Sequence, residues 1–343
     1  MFRQLPLLAN VAAFVAAAAA VWFAGTRLAR YADDIAETTG IGRAVLGLLL
    51  LGGVTSLPEL AVAVTATLQG TPALSVNDVL GSAAINVVIL ALADAAIGRD
   101  ALTGVLASPA LLLQGVLGIA VMALIVAPAL AGDVSLFGIG AWSWVLLFTY
   151  LIGLRLVAKS RASEAWRAPH KAPQTQRVER DRSGADAALR ALLLRAAGAG
   201  AAILVAGFVL ARSGEALAHA SGLGTSFFGA VVLGFSTSLP EVSTVLAAVR
   251  LRRYAMAVSD VFGTNLFNVT IVVLVDALHP GGPVLLETGR FASAAALLAL
   301  LLTAIYLVGM IERRDRTVLR MGLDSLAVLF VYGAGLAVLY GLK

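Results

Sequence analysis

Leu51-Gly-Gly-Val-Thr-Ser-Leu-Pro-Glu59 returns 182 residues later as Leu233-Gly-Phe-Ser-Thr-Ser-Leu-Pro-Glu241. At the same offset, with no gap, Asp78 pairs with Asp260, Gly81 with Gly263, Asn86 with Asn268 and Asp94 with Asp276. Residues 51–94 against 233–276 give 18 identities in 44 positions, nearly all of the polar ones included. Sequence rich in Ala, Leu and Val does not produce that by chance, so the chain is an internal duplication.

The surroundings of the two copies say where they sit. Of 343 residues 60% are hydrophobic and only 13% charged, and mean hydropathy is +0.93. A soluble domain carries about a quarter charged residues, so this chain has half the charge needed to coat a water-facing surface. It reads as an integral membrane protein. With no cysteine, disulfide scaffolds and thiolate metal sites are excluded. His170, His219 and His279 offer little imidazole for zinc.

A helix needs about 20 apolar residues to cross the hydrocarbon. Ten such segments can be drawn, at roughly 6–29, 41–68, 74–97, 103–129, 134–158, 188–211, 223–249, 255–277, 288–310 and 321–341. The alanine-rich first one has the look of a signal peptide, but the duplication gives it a partner span, so it is expected to be retained. With the N-terminus placed outside, 21 of the 25 Lys and Arg fall on one side, leaving Arg3, Arg212, Arg290 and Lys343 opposite. That bias predicts an inner-membrane protein with a cytoplasmic central linker, and it accounts for the net charge of +5 without nucleic acid. The polar stretch 159–187, with Pro169, Pro173 and mixed charges, is that linker. It separates a first half, 1–158, from a second, 188–343.

Five spans per half put the second copy into the membrane upside down. The expected fold is therefore an all-α polytopic membrane protein of about ten transmembrane helices arranged as two inverted five-helix repeats. Inverted repeats with interrupted helices around a midplane site are the architecture of many secondary transporters.

The repeated residues carry the chemistry. Pro58 has no N–H, so the carbonyl of Val54 loses its helical partner and the turn kinks; Pro240 does the same to Ser236. A freed carbonyl at membrane depth must be satisfied by something polar. Thr55, Ser56, Thr237 and Ser238 bring hydroxyls to the break, and Glu59 and Glu241 bring carboxylates one residue past the proline. These are hard oxygen donors of the kind that hold Na⁺ and Ca²⁺. On the following helix Asp78, Ser82 and Asn86 share one face, and Asp260, Thr264 and Asn268 repeat it. Gly81 and Gly263 beside them permit close approach of another helix. Two facing glutamates repel unless a cation or a proton sits between them, and that competition is an exchange mechanism.

Gly-x-x-Thr-Ser-Leu-Pro-Glu followed by Gly-Ser/Thr-x-x-x-Asn, duplicated and inverted, resembles the α-repeats of the sodium/calcium exchangers in the cation/calcium antiporter superfamily, over the whole ten-span layout. The resemblance implies an antiporter exchanging Ca²⁺ for Na⁺ by alternating access, with an H⁺-coupled divalent-cation antiporter as the alternative. It implies Glu59 and Glu241 as central calcium ligands. Thr55, Thr237, Ser82, Thr264, Asn86 and Asn268 would be shared between sodium and calcium sites, with Ser56 and Ser238 in support. No cofactor, nucleic acid or obligate protein partner is implied; the partners are lipid, Ca²⁺ and monovalent cations. The chain departs from the pattern in three places. Ala83 stands where members often have asparagine, whereas Asn265 keeps it. Asp78 and Asp260 replace usual asparagines, leaving ion contact, proton uptake and helix capping open for them. Asn268 stands where some sodium-coupled members have aspartate.

Asp94 and Asp276 are expected to be interfacial or capping carboxylates, and His219 and His279 to be solvated loop residues. Two rival functions remain. An intramembrane enzyme would want a nucleophile or a metal motif, and the chain has no HExxH and no cysteine. A passive channel also uses paired broken helices.

Overall fold

The computed structural model describes residues 6–97, 102–105, 108–159, 182–219, 225–287, 289–312, 317–318 and 320–342. The first half opens with α1 (Leu7–Thr39), followed by a broken span: α2 (Arg43–Leu46), a π-helical turn Gly47–Leu51, α3 (Gly52–Thr55) and α4 (Leu57–Leu68). Then come α5 (Pro72–Ile97), the short α6 (Leu102–Val105), α7 (Pro109–Ala131), the hairpin β1 (Ser135–Leu136) and β2 (Ile139–Gly140), and α8 (Ala141–Lys159). The second half repeats the order. It has α9 (Arg182–His219), α10 (Thr225–Phe227), a π-helical turn Phe228–Leu233, α11 (Gly234–Thr237) and α12 (Leu239–Arg250). It continues with α13 (Tyr254–Leu278), α14 (Val284–Glu287), α15 (Gly289–Glu312), the hairpin β3 (Thr317–Val318) and β4 (Met321–Gly322), and α16 (Leu323–Gly341). Eight helices are long and apolar enough to span a bilayer, and each broken pair makes one more, giving ten among the described residues.

The bends fall where the prolines predict. The broken spans turn by 40° between α3 and α4 and by 45° between α11 and α12, with Pro58 and Pro240 in the first turn past the break. There a missing N–H costs least, because the first donors of a helix have no internal partner.

α5 and α13 form the centre: 78% and 72% of their apolar stretches are buried, against 17–50% in the other unbroken spans. A helix with no polar face belongs inside, yet both carry acids and amides, so what surrounds them is protein. Each lies against the broken span of the opposite half. A β-carbon on Gly81 of α5 would collide with the backbone of Ala230, and one on Gly263 of α13 would stand 2.6 Å from the Leu48 α-carbon. Leu48 and Ala230 are themselves 182 apart, so one close crossing is built twice. The longest helices repeat the exchange outside this core. α1 sets Gly25 against Ser243 and the carbonyl of Pro240, and α9 sets Gly207 against Pro58. Leu8, Leu194, Leu130 and Phe330 project from the periphery, 74–86% exposed, as residues that face lipid do.

The duplication extends beyond the motifs. Asp94 accepts hydrogen bonds from the N–H groups of Leu102 (2.6 Å) and Gly322 (2.7 Å). Asp276 accepts from those of Val284 (2.7 Å) and Gly140 (2.8 Å), and from the Ser143 hydroxyl (2.5 Å). Leu102 and Val284, like Gly140 and Gly322, are 182 apart. The capping role expected of both aspartates is thus what they perform, each tying the end of a central helix to a hairpin of the other half.

Several expectations are corrected. α1 runs to Thr39 rather than 29 because its polar last turns are held: Arg43 Nε lies 2.6 Å and Arg253 Nε 2.9 Å from the Asp33 carboxylate, and both guanidinium groups reach Glu37. The fourth span starts at Pro109, since 102–105 form the separate turn capped by Asp94. The fifth and tenth start at Ala141 and Leu323, behind the hairpins. α9 begins at Arg182, inside the expected linker, and ends only at His219. The linker's remainder and His170 lie outside the described residues. His279 is not solvated: its ring side chain is 12% exposed and Nε2 lies 3.0 Å from Glu287 Oε1.

The close crossings give a test. Gly81→Ala should destabilise the protein by about 1–3 kcal/mol, the usual cost of overpacking. Gly53→Ala, where nothing lies within 4 Å of the new methyl group, should leave the unfolding midpoint unchanged or slightly raised. Thermal unfolding in detergent, followed by size-exclusion fluorescence, reads both. Equal midpoints would refute the crossing.

Candidate functional site: a buried cage of carboxylates and hydroxyls

Glu59 and Glu241 each sit in the first turn past a proline, projecting inward where the broken spans meet α5 and α13. Both are fully buried, as are Asp78 and Asp260. Their charges are mutual neighbours. Glu59 lies within electrostatic range of Glu241 and Asp78, and Glu241 within range of Asp260. Among the described residues no Lys, Arg or His is buried, so none of them supplies a cation to this centre.

Hydroxyls stitch the two halves together. Thr55 Oγ1 lies 3.1 Å from Thr264 Oγ1, and Thr237 Oγ1 lies 3.1 Å from Ser82 Oγ. Each pair joins a broken span to the opposite central helix, and the two pairs are related by the 182-residue offset. The hydroxyls also relieve the broken turns: Thr55 donates to the Leu51 carbonyl (3.0 Å), Ser56 to Gly52 (2.8 Å), Thr237 to Leu233 (3.1 Å) and Ser236 to Val232 (2.8 Å). Ser238 Oγ, buried, has no partner.

Asp78 and Asp260 are not caps near an interface, one of the roles left open for them. They lie within α5 and α13, one turn from Ser82 and Thr264, with no exposed surface. Asp78 Oδ1 lies 3.3 Å from the Thr237 hydroxyl, whose one proton it shares with the Leu233 carbonyl, and Asp260 accepts from Thr244 at 2.5 Å. Thr244 was missed by the sequence reading because its counterpart is Val62, and a search for repeated polar residues passes over an unrepeated one. Its place one turn after Glu241 is the signal that would have found it. Asn265, noted only as a family letter, bridges the halves: its Nδ2 donates to the Ala83 carbonyl and its Oδ1 accepts from Asn86 Nδ2, both at 3.0 Å.

Several buried polar atoms find no partner in the protein. They are both oxygens of Glu59 and of Glu241, Asp78 Oδ2, Asp260 Oδ1, Asn86 Oδ1, and both amide atoms of Asn268. Buried polar groups are nearly always hydrogen-bonded, so such a concentration at one place is the mark of a site for something else. Among the described residues no three of His, Cys, Asp and Glu stand close enough to hold a metal ion by themselves. A cation here needs hydroxyl, amide and carbonyl oxygens beside the carboxylates, a hard, all-oxygen shell.

The Thr244 contact can be tested. Thr244→Val keeps shape and leaves an Asp260 oxygen without its donor, so it should lower stability by about 1–3 kcal/mol, read as the midpoint of thermal unfolding in cation-free detergent. An unaltered midpoint would mean that the bond does not form.

The family described as sodium/calcium exchanger protein matches residues 9–159 and 192–342, one match on each half. The inner membrane protein YrbG of Escherichia coli (strain K12) is 27% identical over 267 residues, 77% of this chain and 78% of that one. The sodium-calcium exchanger NCX_Mj, soaked with 2.5 mM Na⁺ and 0.1 mM Sr²⁺, superposes with a TM-score of 0.70 at 16% identity, covering 97% of this chain and 99% of that one. Soaked with 10 mM Na⁺ and no Ca²⁺, it superposes with a TM-score of 0.68 at 18% identity. The likeness to NCX_Mj extends over 97% of this chain.

Proposed function

Because the chain belongs to the sodium/calcium exchanger protein family, we propose that it is a secondary antiporter that exchanges Ca²⁺ for Na⁺ by alternating access, with Glu59 and Glu241 as its central ligands. One observation carries the reading. Two fully buried glutamates, near enough to feel one another, have four oxygens without a partner, and among the described residues no buried base accompanies them. An uncompensated buried charge costs several kcal/mol, and an ionisable group in the bilayer is a functional one by default. The compensation therefore comes with the cargo.

In this mechanism Ca²⁺ binds between the two carboxylates, with Thr55, Thr237, Ser82, Thr264, Asn86 and Asn268 shared between the calcium and sodium positions, and with Asp78, Asp260 and the carbonyls of Val54 and Ser236 as supporting contacts from which a shell of about 6–8 oxygens is drawn. Ser56 and Ser238 support the shell, and Pro58 and Pro240 make the breaks that free the carbonyls. Ca²⁺ and several Na⁺ or H⁺ compete to neutralise the same carboxylates, so each displaces the other. The two halves, α1 to α8 and α9 to α16, rearrange around the site and are joined by a cytoplasmic linker between Lys159 and Arg182. The N-terminus lies outside an inner membrane whose lipid covers the apolar periphery. This reading assigns no catalysis to the site and no cofactor.

A second reading has its own support. Four buried acids rather than two, with an amide at Asn268, suit a protein that neutralises its centre with protons, which makes H⁺ the rival coupling ion.

Both readings are tested in vesicles loaded with Ca²⁺. Glu59→Gln and Glu241→Gln should abolish Ca²⁺ flux in protein that still assembles, and unchanged flux in both would overturn the site. An inward Na⁺ gradient should drive Ca²⁺ out of wild-type vesicles; if only a pH step does so, the proton is the coupling ion. Ca²⁺ should also raise the unfolding midpoint of the wild type, as any ligand of the folded state does, and fail to raise it in either variant.

A further inference from the structure

We infer that Asn265 is a positioning residue: it holds the Asn86 amide with its oxygen free for the transported cation, and Ala83 denies Asn268 the same support, so the two halves offer unequal ligands. This inference rests on the proposed antiport reading.

The chain of bonds settles which atom is which. An amide's nitrogen and oxygen are assigned from their partners, and here the first partner is a backbone carbonyl, which only accepts. Asn265 must therefore turn Nδ2 to Ala83, 3.0 Å away. Its Oδ1 then points the other way and accepts from Asn86 Nδ2, also at 3.0 Å. With its nitrogen held, Asn86 leaves Oδ1 buried and unpartnered, on the helix face that Asp78 and Ser82 share. An oxygen aimed in advance at a cation needs no reorganisation when the cation arrives.

The opposite half lacks this arrangement. The residue 182 positions before Asn265 is Ala83, whose methyl group neither donates nor accepts. Asn268 accordingly has both Oδ1 and Nδ2 buried without a partner. The terminal torsion of asparagine is broad and roughly two-fold, so this amide turns at small cost. It presents oxygen to a cation and swings the nitrogen inward when the cation leaves. The site thus combines one preset oxygen with one rotor. The two-fold symmetry of the amide ligands, which the repeated motif implies, is broken by an unrepeated asparagine, Asn265 against Ala83.

Vesicle transport by the full-length protein tests this in one series. Asn265→Ala should raise the KM for Ca²⁺ by about tenfold or more, the usual loss when the partner of a metal ligand is removed, with kcat near that of the wild type. A double-mutant cycle decides the route. If Asn265 acts through Asn86, then Asn86→Ala with Asn265→Ala is no worse in KM than Asn86→Ala alone, whereas independent effects multiply. Asn265 also borders a small cavity with Gln114, Met122, Phe262 and Thr303, and a packing role alone would lower the unfolding midpoint without moving KM. Should the alanine variant fail to assemble, Asn265→Leu fills the volume without an amide and should show the same KM rise. A KM equal to that of the wild type, or multiplying effects, would overturn the inference while leaving the antiport reading intact. Flux that survives Glu59→Gln in the same series would instead remove the antiport reading and this inference together.

Discussion

Two carboxylates share a buried interior in which, among the described residues, no positive side chain balances them, and the rest of the fold can be derived from that constraint. Glu59 and Glu241 have no exposed surface, and low-dielectric surroundings sharpen both their repulsion and their attraction for a cation. To present such groups at membrane depth the chain must break its helices, and a broken helix strands carbonyls. Pro58 and Pro240 make the breaks. Thr55, Ser56, Ser236 and Thr237 return hydrogen bonds to the turns before them, and Gly81 and Gly263 let the opposite broken span come near enough to close the cage. None of these devices is explained by stability alone.

Duplication makes the arrangement economical, and its local failures make the two halves unequal. The hydroxyl bridges, the glycine crossings and the aspartate ties occur in pairs at a fixed offset. An inverted pair of perfect copies would face the two sides of the membrane alike. The exceptions are small and central: Thr244 against Val62 beside the acids, and Asn265 against Ala83 beside the amides. Each changes which oxygens are held and which are free. A further asymmetry lies at the periphery, where Arg43 and Arg253 clasp Asp33 and Glu37 at the end of α1. At the counterparts of those arginines, 225 and 71, the chain has threonine, so the clasp has no twin.

Sequence alone determined a good deal. The membrane, the ten spans, the inverted repeat and the acids at the two breaks were all legible, because each follows from composition, from a missing proline N–H or from a match that hydrophobic drift cannot mimic. The caps at Asp94 and Asp276 were legible too, since a carboxylate near a helix end has few other uses. Tertiary structure decided the rest. Whether Asp78 and Asp260 faced an interface or the cage, that His279 pairs with Glu287, and that helix α1 outruns its apolar stretch all depend on partners far away in the chain. The partner of Asn86 is 179 residues distant, and neither residue's spacing betrays the other. Periodicity and local chemistry are properties of a segment and can be read along it; the direction in which a buried amide points is set by an acceptor on another helix, and only folding brings the two together.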